Sequence, residues 1–301
     1  MIDTFFAKLP HDITLHCRAS GPKGAPVLLF LHGFPEAAFV WDEMLAHFGQ
    51  RYRCIAPNLR GYEQSSAPAD VQAYRVKHLV ADLLALIERE TGGGQLEALV
   101  AHDWGGAVAW TVAALHPQAL KRLVIINSPH PATFLRGLQT DPAQQAASAY
   151  MNFLCRPDAE AQLSENDFAL MWPFLAGMGA TDPGHPGGGW LTEAVKDQYR
   201  TVWRAGLTGA LNYYRASPLR PPTAPDSPVM ALQFPPEFVT VRVPTHVVWA
   251  EADRALPASL LDGLEAYVPR LSLTRVPGAT HWIVHERPQL IAQEIEAALA
   301  R

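Results

Sequence analysis

The sequence lacks the marks of several large protein classes. Only three of its 301 residues are cysteine, Cys17, Cys54 and Cys155. They are scattered, without the spacing of a metal site or a disulfide framework, and read as free thiols in a reducing compartment. No run of like charges occurs and the formal net charge is −5, so nothing draws the chain to nucleic acid or anionic lipid. No stretch approaches the ~18 consecutive apolar residues of a membrane span. The opening "MIDTFFAKLPHD" has no basic segment followed by a long apolar run, so no signal peptide is expected. There is no internal repeat. "TGGGQ" (91–95) lacks the Lys-Ser/Thr and the following helix of a phosphate loop, and reads as a turn entering a strand. These absences lead to the expectation of a cytoplasmic protein, monomeric or homodimeric, with no membrane and no nucleic-acid partner.

What is present is a 49% hydrophobic chain long enough for one large domain, or a domain with an insertion. Residues 12–18 and 26–31 read as strands, and the continuous apolar run "APVLLFL" fits a strand covered on both faces. Further strands are expected near 52–56, 96–102, 120–128 and 271–276, and 245–253 reads as a strand and its exit loop. Val76, Leu79, Val80, Leu83, Leu84 and Ile87 recur at helical spacing. "GGAVAWTVAAL" (105–115) predicts a deeply buried helix. A last helix starts with Pro288 in its first turn and runs to Leu299. Strands alternating with helices predict an α/β fold with a mostly parallel sheet and helices on both faces. The rhythm breaks between 131 and 222, which reads as a helical insertion containing the loop "TDPGHPGGG". The stretch "SPLRPPTAPDSP" (217–228) reads as a linker. The expected division is therefore core 1–130, helical segment 131–222 and core 223–301.

"VAHDWGGAVAW" (99–109) places Asp103 between a strand and a helix, flanked by the small residues Ala101 and Gly105. That is the setting of a nucleophile elbow, with Asp in the usual place of Ser. A helix-capping Asp is the alternative for this segment alone. "LHGFP" (31–35) follows an apolar strand, and the backbone N–H groups of Phe34 and Trp104 are expected to converge as an oxyanion hole. Late in the chain Asp253 ends "THVVWAEAD" and "GATHW" puts His281 in a loop beyond the last strand. His281 as base, oriented by Asp253, fits triad logic. Glu251 is the competing acid. "HWIVH" places His285 four residues after His281 but lacks the Glu of a zinc-protease helix, so no metal is expected. His32, His102 and His130 are expected to hold loops.

"HGFP", "AHDWGG", "AEAD" and "GATHW" together resemble the α/β-hydrolase superfamily over nearly the whole chain, in its epoxide hydrolase branch, with the related haloalkane dehalogenases behind it. The resemblance implies an α/β-hydrolase fold with an inserted helical cap and no cofactor. "SAYMNFLCRPD" and "GALNYYRAS" match the two cap segments that each carry a tyrosine in such epoxide hydrolases, which assigns these roles to Tyr150 and Tyr214 and leaves Tyr213 to packing. Asn58 and Glu63 stand where Asp and Gly are common, which bears on loop detail.

An Asp nucleophile suits attack on saturated carbon. Its carboxylate is ionised at pH 7. Attack on an acyl group would give a reactive anhydride, whereas attack on an sp³ carbon gives an ordinary ester. An alkoxide leaving group then needs a proton, which a tyrosine can give. The expected reaction is an epoxide plus water to a vicinal diol through an ester on Asp103. Trp104, Phe34, Phe153, Leu154 and Trp172, with Phe174 and Trp203, suggest an apolar, aromatic pocket for an uncharged hydrophobic epoxide. A dehalogenase using the same Asp, with Trp104 as a halide donor, and a non-catalytic ligand-binding member of the fold are the alternatives.

Overall fold

In a computed structural model, residues 1–179 and 188–301 are described. Most of the Gly/Pro loop "TDPGHPGGG" lies outside them. Eight strands form one sheet: β1 (Asp3–Lys8), β2 (Thr14–Ser20), β3 (Val27–Leu31), β4 (Arg53–Pro57), β5 (Ala98–His102), β6 (Leu123–Ile126), β7 (Thr245–Ala250) and β8 (Leu271–Val276). Their order is β1-β2-β4-β3-β5-β6-β7-β8. β2 is antiparallel to both β1 and β4, and all other pairs are parallel.

The helices are α1 (Asp42–Phe48), α2 (Val76–Thr91), α3 (Asp103–Leu115), α4 (Pro131–Thr140), α5 (Pro142–Ala147), α6 (Tyr150–Leu154), α7 (Ala159–Phe168, broken by non-helical residues 165–167), α8 (Met171–Gly177), α9 (Glu193–Arg204), α10 (Thr208–Ala216), α11 (Pro236–Val239), α12 (Ile283–Glu286) and α13 (Pro288–Leu299). Among the described residues, no helix is long and apolar enough to cross a membrane.

The central strands are buried along their whole length because both sheet faces are covered. Alternate residues serve opposite sides, as the period-2 pleat requires. Leu29, Leu31, Leu99, Ala101, Leu123 and Ile125 pack with α2 and α3. Leu28, Phe30, Val100, Val124 and Ile126 pack with α1 and α13 through Met44, Leu45, Phe48, Ile291 and Ile295. This is why "VLLFL", "ALVAH" and "LVII" read as unbroken apolar runs.

β1 is an addition to the expected set. It is an edge strand, with Ala7 buried and Phe6 50% exposed, so it carries no long apolar run to announce it. The expected strand at 120–128 shortens to Leu123–Ile126, and within 245–253 the strand ends at Ala250, where the expected exit loop begins. Between β6 and β7 come α4 to α11. The proline-rich 217–227 has neither helix nor strand.

β3 lies between β4 and β5, so the sheet order reverses at this strand. Crevices at the carboxyl ends of strands on either side of such a switch are where open α/β sheets take ligands. His32–Phe34 leave β3 there and Asp103 leaves β5.

Candidate active site

Asp103 opens α3 directly after β5, with φ of 48°. A left-handed backbone at a non-glycine residue is a strained feature, and strain of this kind concentrates at functional sites. The turn closes only because its neighbours are small. A Cβ on Gly105 would stand 2.6 Å from the carbonyl oxygens of Leu31 and His32. A Cβ on Gly33 would stand 2.2 Å from Asp103 Oδ1. The missing side chain at Gly33 lets the loop after β3 reach the carboxylate, and Phe34 N–H donates to Asp103 Oδ1 at 2.7 Å. Ser128 Oγ, just past β6, donates to the Asp103 carbonyl at 2.7 Å.

His281 follows β8 and faces the same carboxylate. Its Nε2 lies 3.8 Å from Asp103 Oδ2. Its Nδ1–H donates to Asp253 Oδ2 at 2.7 Å. Asp253 is held from three directions: Ala255 and Leu256 N–H donate to Oδ1 at 2.8 and 3.0 Å, and Asn127 Nδ2 donates to Oδ2 at 2.8 Å. Burial would raise the Asp253 pKa, but the His281 charge and these hydrogen bonds bring it below its ordinary value. Burial pulls His281 down. The charge and hydrogen bond of Asp253, with the Asp103 and Glu36 carboxylates, outweigh it and raise the imidazole to about 9. Glu251 instead faces Arg275 at 3.4 Å.

Tyr150 and Tyr214 come from α6 and α10, with ring centroids 6.2 Å apart. Tyr214 stands edge-on to Trp104 at 5.0 Å and to Phe34 at 5.3 Å. Burial, reinforced by the Asp103 carboxylate, pushes both phenols well above their ordinary value, so they stay protonated donors. Tyr213 points elsewhere and donates to the Arg60 carbonyl at 2.9 Å.

Asp103, Trp104, Ser128, Tyr150 and Tyr214 line one open cleft, with Phe134, Met151, Leu219 and Leu256 around them. Phe153, Leu154 and Trp172 are not brought to this cleft. Leu154 is fully buried in the core, Phe153 lies under the Arg156 guanidinium, and Trp172 packs on Trp203 at 4.8 Å and under Arg200. Aromatic and aliphatic composition marks a packing residue as readily as a lining one. Phe134, Met151, Leu219 and Leu256 carried no distinguishing signal. Asn127 had one: a polar residue directly after an apolar strand, at the carboxyl edge of the sheet.

The loop histidines hold backbone. His32 Nδ1–H donates to the Gly33 carbonyl at 3.0 Å while its Nε2 accepts from Leu59 N–H at 3.0 Å, and burial lowers it to about 4. His102 Nε2–H donates to the His281 carbonyl at 3.0 Å. His130 Nδ1 accepts from Ala132 N–H at 3.3 Å. Asn58 Oδ1 accepts from Ala38 N–H at 2.7 Å, and its amide donates to Glu63, so the two unusual residues of that loop partner each other.

One further carboxylate sits behind the site. Glu36 is 1% exposed. Its Oε1 accepts from Tyr199 Oη and His285 Nε2, both at 2.8 Å, and its Oε2 is 3.3 Å from His102 Nδ1. Burial opposes its charge, but the nearby His102 imidazole and the hydrogen bond from His285 bring its pKa below the usual carboxylate range.

Residues 26–288 match the family model described as the alpha/beta hydrolase fold. Epoxide hydrolase 3 of Xenopus tropicalis is 34% identical over 92% of this chain and 72% of its own length. The chain belongs to the epoxide hydrolase branch of the α/β-hydrolase family. The AB hydrolase superfamily protein YfhM of Bacillus subtilis is 34% identical, covering 95% of this chain and 94% of that protein. The crystal structure of Bacillus megaterium epoxide hydrolase in complex with an inhibitor superposes with a TM-score of 0.88 at 30% identity, covering 99% of this chain and 100% of that one.

Proposed function

We propose that this member of the branch hydrolyses an uncharged, hydrophobic epoxide to a vicinal diol through an ester on Asp103. The observation that carries the reading is the meeting of the Asp103 carboxylate with two protonated tyrosines, Tyr150 and Tyr214, in one largely apolar cleft. A carboxylate alone would suit any leaving group on saturated carbon. Paired phenols suit one that departs as an alkoxide and must be protonated.

The two carboxylate oxygens have different surroundings, and this supports an order of events. Oδ1 is held by Phe34 N–H, and Oδ2 lies towards His281. In the first step Oδ2 bonds to an epoxide carbon, the C–O bond breaks, and the departing oxygen takes a proton from Tyr150 or Tyr214. In the second step His281 removes a proton from water, whose oxygen attacks Cγ of the ester. Negative charge develops on Oδ1, where Phe34 N–H and Trp104 N–H serve as donors. The tetrahedral intermediate collapses to the carboxylate and the diol. The proton taken from water restores the imidazolium, and the second water proton goes to the departing alkoxide, which completes the diol.

His281 at about 9 holds a proton in the resting enzyme. Esterification removes the Asp103 charge, one of the causes of that elevation, so the imidazole gives that proton up to the tyrosinate left by the first step and is neutral when it takes one from water. The helical segment 131–222, which supplies both tyrosines, acts as the cap over the core 1–130 and 223–301. The thiols of Cys17, Cys54 and Cys155 are free, which supports a cytoplasmic setting. The test is diol formation from aryl and alkyl epoxides run beside halide release from haloalkanes. Diol without halide is expected, and halide release without diol would transfer the reading to a dehalogenase.

A further inference from the structure

The loop that carries the Phe34 N–H is fastened from outside the core. Trp203 Nε1–H donates to the Pro35 carbonyl at 2.8 Å, and Tyr199 Oη–H donates to Glu36 Oε1 at 2.8 Å. Both side chains stand on α9, four residues apart and so on one helix face. Their partners are the two residues immediately after Phe34. From the other side His285 of α12 donates to the same Glu36 oxygen at 2.8 Å. Glu36 Oε2 lies 3.3 Å from His102 Nδ1, and His102 holds the His281 carbonyl. Three of its members are buried: Tyr199 is 0%, Glu36 1% and Trp203 2% exposed.

A buried carboxylate is costly unless every partner is in place, so this cluster fixes its members in one arrangement. An oxyanion donor acts only when it is held within about 0.5 Å of its productive position. Two consecutive anchors on the residues next to Phe34 supply that restraint, and both come from α9.

We propose that Tyr199 and Trp203 are positioning residues for the oxyanion-hole donor, so that ester hydrolysis runs at full rate only while α9 is seated on the Phe34–Glu36 loop. Neither side chain is among the residues that line the cleft. The inference rests on the ester mechanism above. In the first step Phe34 N–H only orients a carboxylate that is already charged. In the second, charge builds on Oδ1 as the intermediate forms, so a displaced donor costs more there.

The test is single-turnover quench-flow with styrene oxide, following the protein adduct by mass, on the full-length wild type, Trp203→Phe and Tyr199→Phe. Both substitutions keep a ring and remove one donor. Alkylation is expected to stay within about twofold, while adduct decay slows about tenfold in Trp203→Phe and several-fold in Tyr199→Phe. With decay rate-limiting, kcat and KM then fall together and kcat/KM holds. Unchanged decay with only a lower Tm, or equal slowing of both phases, overturns the proposal. Tyr199→Phe loses a single hydroxyl and decides the matter if Trp203→Phe does not fold. A wild type that forms no adduct overturns the ester reading and this inference with it. A normal wild-type adduct with unchanged decay in the variants overturns this inference alone.

Discussion

His281 Nε2 stands 3.8 Å from Asp103 Oδ2, beyond hydrogen-bond reach, while its Nδ1–H is fixed on Asp253 at 2.7 Å. The imidazole is thus held by its far side and faces the Asp103 carboxylate without being bonded to it. In the proposed mechanism that leaves it able to serve a water molecule once Oδ2 has become part of an ester.

The proton on this histidine gives a pH prediction. The imidazole sits at about 9 in the free enzyme, with the Asp103 charge among the causes. The ester lacks that charge, so decay of the adduct should rise with pH through a pKa below 9, as the neutral base is populated. Quench-flow from pH 6 to 9 measures it. A decay rate flat across that range would remove His281 from the second step.

Asn127 donates to the same Asp253 oxygen that holds His281, and its own Oδ1 accepts from Ala250 N–H at 2.7 Å. Asn127→Ala should lower kcat by about 10- to 100-fold, the value of a lost charge-assisted hydrogen bond. KM should fall with kcat and kcat/KM should hold, because Asn127 acts through Asp253 on the base of the second step and does not line the cleft. Steady-state kinetics with one aryl epoxide decide it.

The two neighbouring tyrosines separate chemistry from packing. Tyr214→Phe should slow alkylation about 10²-fold or more, the usual contribution of a positioned acid. Tyr213→Phe should leave alkylation near normal and cost about 1 kcal/mol of stability, since only its bond to the Arg60 carbonyl is lost. Rapid kinetics and thermal melts on both variants check the pair. Equal kinetic losses would contradict the division.

Much of this was legible because chemistry and fold constrain the same short stretches. Asp103 needs a small neighbour at 105 for the turn to close, and "AHDWGG" displays that requirement. Asp253 sits just beyond a strand that reads as an apolar run, and His281 just beyond β8, whose "LSLTRV" alternates apolar and polar residues. Tyr150 and Tyr214 were another matter, since they lie in a helical region without diagnostic spacing and came from a family resemblance. Phe153, Leu154 and Trp172 show why: the rotation of a short helix decides whether an apolar side chain faces a cleft or a neighbouring helix, and composition does not record it. Glu36 and Tyr199 were invisible for a related reason. They meet across 163 residues of sequence, and only the packing of α9 on the loop after β3 brings them together.

Gly33 offers a test of the loop itself. Gly33→Ala would place a methyl 2.2 Å from Asp103 Oδ1, so either the loop or the carboxylate has to move. Turnover is expected to drop at least about 10²-fold, as for an angstrom-scale displacement of a reacting group. Diol assay on the folded variant measures it, and near-normal turnover would place the loop away from the nucleophile.

The central claim is the covalent ester on Asp103, and His281→Gln tests it most directly. With its base removed the variant should still be alkylated but should not release diol. Intact-mass spectrometry after incubation with styrene oxide should show one adduct of substrate mass, mapped by peptide digestion to Asp103 and absent from Asp103→Asn/His281→Gln. An active wild type whose His281→Gln variant carries no adduct on Asp103 would contradict the account.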